Sequence, residues 1–138
     1  MANRIIEIHD SVLEKISLSQ GKAELHFSSV YIHRSEGRPG IDAGSGWVQR
    51  AILRIDGAEL RGTFPEFPVD LANGQIKLGE HCTENEIPIP LCYKGTFELR
   101  LEPKWQSQEV MTFTGRGAEL ELIGEPEYVE EFRPDELR

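Results

Sequence analysis

Long apolar runs are missing from this sequence. No stretch approaches the ~20 residues that a bilayer-spanning helix requires. The opening segment, Ile5-Ile6-Glu7-Ile8-His9-Asp10, is broken by Glu7 and Asp10 where an export signal needs an unbroken apolar stretch. The expectation is a cytoplasmic protein with no membrane partner. Cysteine is nearly absent: Cys82 and Cys92 are the only two. In a reducing compartment, two such residues are expected to be buried free thiols rather than a disulfide. Basic charge is short as well, with 15 Lys and Arg against 24 Asp and Glu in 138 residues, a net charge of −9. Phosphate backbones bind to positive surfaces, so nucleic acid is not an expected partner.

Recognisable catalytic and cofactor arrangements are also lacking. Gly44-Ser45-Gly46 begins like a dinucleotide-binding turn, but Gln49 stands where the third glycine belongs. There is no Gly-x-Ser-x-Gly elbow. His81 and Cys82 are neighbours, and in an extended segment neighbouring side chains diverge. The carboxylates Glu84 and Glu86 fall in a polar stretch that reads as a loop. His26 and His33 are seven residues apart, which on a continuous strand places them on opposite faces. His81-Cys82 with Cys92 matches no usual zinc spacing. No catalytic residue, metal site or cofactor is expected, and no motif set identifies a family.

What is present is period-two alternation. Phe97, Leu99 and Leu101 alternate with Glu98, Arg100 and Glu102. Trp47, Ala51, Leu53 and Ile55 share one parity, while Arg50, Arg54 and Asp56 share the other. Ala118, Leu120 and Leu122 alternate with Glu119 and Glu121. Such patterns place apolar groups on one face of a sheet and charges on the other. Turn residues punctuate the runs at Gln20-Gly21, Asn73-Gly74, Lys94-Gly95 and Gly115-Arg116-Gly117, with Asn73-Gly74 the strongest signal. Asp56-Gly57 reads as a bend or bulge within a longer run. Ser11 to Glu14 has the form of a helix capping box, although the alternation of Val12, Glu14, Ile16 and Leu18 favours a strand. The expected fold is all-β, an antiparallel β-sandwich or small β-barrel of about eight to ten strands with little or no helix.

One irregularity stands out in this pattern. Leu25 and Phe27 are odd-numbered, whereas Val30 and Ile32 are even-numbered. A slip of one residue flips every later side chain, so the expectation is a bulge near Ser28 and Ser29 or a strand covered on both faces at that end.

A single β domain over residues 1–125 and an acidic tail over 126–138 are expected. Residues 118–138 hold eight of the acidic groups and two of the basic ones. The leading functional expectation is a non-enzymatic protein-interaction module; the alternative is a small-ligand or carbohydrate-binding module, with a hydrolase behind it. Candidate partner-binding residues are Tyr128, Val129 and Phe132 in the tail, where helical spacing would give them a common face, unless they pack onto their own domain or finish the sheet. Arg38 in the glycine-rich loop 34–46 and Trp105, an aromatic among polar neighbours, complete the set. Ile87-Pro88-Ile89-Pro90-Leu91 reads as an edge strand or an extended polyproline-like connector, because proline removes ladder donors. A protein partner, or a homo-oligomer formed through an edge strand, is the expected kind of assembly.

Overall fold

The alternating segments form nine β-strands in the structure, a computed structural model that describes residues 2–105 and 109–133. They are β1 (Asn3–Ser19), β2 (Lys22–Ser35), β3 (Gly44–Asp56), β4 (Glu59–Arg61), β5 (Val69–Leu78), β6 (His81–Glu84), β7 (Glu86–Ile89), β8 (Cys92–Pro103) and β9 (Met111–Phe132). All pair antiparallel in one sheet of order β6-β5-β8-β9-β3-β2-β1-β7. The sheet curls until β5 meets β1 through Val12–Asp70 and Leu13–Val69. β1, β2, β3, β9, β8 and β5 therefore make a closed ring, and the fold is all-β as expected. No described helix is long and apolar enough to cross a membrane.

The ring encloses the core. Leu25, Leu53, Ile55, Phe97, Leu99, Leu101, Met111 and Phe113 are buried, each from the apolar parity of its strand. On the outer face, Arg54 bridges Glu24 at 2.9 Å and Glu121 at 2.7 Å, tying β2, β3 and β9 together. Ser11 to Glu14 is strand, because Leu13 is needed inside the ring, where it is fully buried.

Turn chemistry is realised at some positions and overridden at others. Gln20 and Gly21 close the β1–β2 hairpin with φ of 52° and 75°, the paired positive values of a tight two-residue turn. At Gly57 the chain breaks but does not reverse, since β4 continues along β9 in the register that β3 leaves. Asn73-Gly74, by contrast, is no hairpin turn: it lies within β5 beside an irregularity. The glycine is required there by crowding, for a Cβ would meet the Ile8 side chain at 2.7 Å and the Arg100 carbonyl at 2.9 Å. Lys94-Gly95 is likewise a bulge inside β8, and Gly115-Arg116-Gly117 lies within the single strand β9.

The tail segment 126–132 is the end of β9, paired with the start of β3. Tyr128, Val129 and Phe132 are thus on a strand and not on a helical turn. Residues 134–138, the remainder of the acidic tail, lie outside the described residues.

Candidate functional site

Four strands, β1, β2, β3 and β9, run past the ring, and the outer face of this extension carries an acidic cleft. On β1 and β2, the odd-numbered Ile5, Glu7, Tyr31 and His33 face outward, while Ile6, Ile8, Val30 and Ile32 are buried. This outward placement of His33 depends on the expected bulge, which the β2–β3 register shows between Phe27 and Val30. His26 and His33 consequently share the outer face, correcting the opposite-face expectation for a continuous strand. The six residues between them still keep them apart along β2.

A larger distortion of β1 completes the site. After pairing Glu7 with Tyr31, β1 resumes at Val12 with Ser29, so four β1 residues stand opposite Val30 alone. Asp10 takes the left-handed conformation, φ 73°. Ser11 stitches the arch: its hydroxyl donates to the Glu7 carbonyl at 2.8 Å and accepts from the Tyr31 N–H at 3.2 Å. The Ile8 N–H donates to the Asn85 carbonyl at 2.8 Å, docking the β6–β7 corner against the arch.

The arch and the β2 face bring several polar groups together. His9 Nε2 lies 2.6 Å from Glu7 Oε1 and 3.5 Å from Asp10 Oδ2. The other Glu7 oxygen is bound by His33 Nε2. Glu7 is therefore held between two histidines. Ligand atoms of Glu7, His9 and Asp10 all lie within 4.8 Å of one another. The Nδ1 atoms of both histidines are buried and have no hydrogen-bond partner among the described residues.

β9 supplies the opposite wall. Tyr31 Oη donates to Glu130 at 2.7 Å. To reach it the ring crosses β3 at Gly46, where a Cβ would overlap the tyrosine. Burial first, and then the bond to Glu130, push the Tyr31 phenol well above the usual tyrosine value. Tyr31 and Phe132 each meet the His33 ring edge-on, with centroids 5.0 and 5.2 Å away. The resulting space of about 500 Å³ is also lined by Glu84, Glu86, Glu131, Arg133 and Gly40. Glu84 and Glu86, expected in a loop, belong to strands β6 and β7.

The expected partner-binding residues separate. Phe132 reaches the cleft. Tyr128 packs against Trp47, centroids 5.4 Å apart, and lies outside the cleft lining. Val129 is the extra residue where β9 slips against β3 and is exposed. Arg38 is exposed in the loop before β3, its N–H bonded to Asp42 at 2.6 Å. That loop touches the cleft only through Gly40 among the described residues. Trp105 is 61% exposed beyond the end of β8, away from the cleft lining; its neighbours Gln106, Ser107 and Gln108 lie outside the described residues. Cys82 and Cys92 are free but exposed, not buried, because β6 is a sheet edge and Cys92 opens β8 on its outer side.

Sequence reading assigns no site role to Glu7 or Glu130, and it leaves His9 a lone histidine whose convergence with Asp10 is open. The parity change at Ser28 and Ser29 was the one available signal, since it turns His33 outward beside Tyr31. Comparison with protein-family models, curated proteins and solved structures finds no match to this chain.

Proposed function

We propose that this chain is a non-enzymatic interaction module that captures a cationic group of a protein partner, a lysine or arginine side chain, in the acidic cleft. One observation carries the reading. Glu7, Asp10, Glu84, Glu86, Glu130 and Glu131 line a single space of about 500 Å³, with Arg133 the one arginine among its described lining residues. Such a cleft concentrates cations and steers basic segments toward it. The aromatic edges of Tyr31, His33 and Phe132 add a surface on which an aliphatic stem or a flat guanidinium packs.

The adjoining edge of β9 favours side-chain capture over strand addition. It carries Pro126, which has no N–H, together with Glu125, Glu127, Glu130 and Glu131. Its register slips against β3 at two places. Proline, charge and bulges are the features that discourage a second strand from pairing.

The test is fluorescence anisotropy with labelled extended peptides, carrying lysine or arginine in one set and neutral residues in the other, with EDTA present. Basic peptides should bind, weaken as salt rises, and weaken again in the Glu130→Gln, Glu131→Gln double variant. Equal binding of both peptide sets, or none, would sink the reading. The grouping of six carboxylates around one space also suits a free polyamine as a second occupant. Free polyamine that binds where peptides do not would support that alternative.

A further inference from the structure

We propose that Glu7, His9 and Asp10 form a binding site for a divalent transition-metal ion at the arch of β1. The ligand chemistry is mixed, one imidazole and two carboxylates, and each group offers an atom to a common point. Ligands held 2.0–2.2 Å from a tetrahedral ion stand roughly 3.4 Å apart. The His9–Asp10 separation of 3.5 Å meets this as it stands, and Glu7 needs only to ease back from its 2.6 Å contact with His9. Imidazole among the ligands favours zinc, nickel or cobalt over magnesium or calcium.

A second feature points to a ligand. His33 lines the cleft with a side chain nine-tenths buried, yet its Nδ1 has no partner among the described residues. The His9 Nδ1 is in the same condition. Buried ring nitrogens are normally satisfied, and the two left open here belong to the two rings that hold Glu7. The His33 bond to Glu7 is the kind of outer contact that orients a metal-binding carboxylate. Exposure of His9 (39%) and Asp10 (63%) leaves an entry path and room for water to complete the coordination.

The site shares carboxylates with the proposed seat for basic groups but does not depend on that reading. An ion there would neutralise Glu7 and Asp10, so metal and basic peptide would weaken each other's binding by the same factor. The experiment is titration of the full chain with Co²⁺, followed by visible absorption and by calorimetry. One ion per chain and a visible band are expected. His9→Asn and Asp10→Asn, both on exposed side chains, should each weaken binding at least about tenfold while circular dichroism stays unchanged. No binding by the full chain, or equal binding by the His9→Asn variant, would overturn the proposal. The peptide assay runs in EDTA, so either reading can fail alone.

Discussion

Glu7 shows how much one residue can depend on its surroundings. In the sequence it is one of many acidic groups, and its alternation with Ile6 and Ile8 says only that it faces outward. In the structure both of its oxygens are engaged by histidines from different segments, β1 itself and β2. Tyr31 carries the clearest consequence for titration. Its phenol is raised above the ordinary value near 10 because burial and the Glu130 carboxylate both oppose ionisation. In the unfolded chain it ionises near pH 10, so the native state then holds a proton that the unfolded state has lost. The stability linked to Tyr31 is present below that pH and is lost as pH rises above it. The melting temperature should fall from about pH 10 upward, and Tyr31→Phe should fall less steeply over the same range. Parallel curves for the two proteins would show that the phenol is not held in this way.

At the scale of strands, the decisive features are interruptions. The extra residue between Phe27 and Val30 turns Tyr31 and His33 to the outer face, and the β1 arch turns His9 and Asp10 toward Glu7. The slips in β9 do the same for Phe132, which ends beside His33 while Tyr128 stays with Trp47. Gln49 braces one of these slips through a 2.7 Å bond from its Nε2 to the Gly124 carbonyl. The parity change in β2 was legible because apolar residues on both sides of it mark the buried face. The β1 arch was not legible, since Ile8 remains buried and the alternation around it looks unbroken. Asn73-Gly74 misleads in the opposite direction: a good turn pair is held in mid-strand by its neighbours. Gly74→Ala should lower stability by about 1–3 kcal/mol, because backbone and the Ile8 side chain leave no space for a methyl. Chemical denaturation measures it, and a midpoint equal to that of the parent chain would show that β5 and β1 part easily there.

For the whole molecule, closure of the sheet is the main organising event. Two residue pairs, Val12–Asp70 and Leu13–Val69, join β1 to β5 and remove two edges of the ring. Beyond the ring the sheet stays open, with β7 on one flank and the end of β9 on the other. The segment after Gly124 belongs to that extension, paired to β3 from Val48 back to Gly44. A chain ending at Glu125 should therefore lose at least about 1 kcal/mol, lowering the melting temperature on the order of 4 °C. An unchanged melting temperature would mean that this pairing adds nothing. Point substitutions at Glu130 and Glu131 are for that reason a cleaner probe of the cleft than truncation.

The sequence by itself determined the all-β class, the parity of most strands, the β1–β2 hairpin, the β2 bulge and the edge character of 87–91. Each of these follows from local alternation or from residues adjacent in the chain. Which strands neighbour one another, where the ring closes, and the meeting of Glu7, His9, Asp10, His33 and Glu130 were decided by tertiary structure alone. Those contacts join residues from three distant strands through bulges and register slips, and alternation carries no information about which edge meets which.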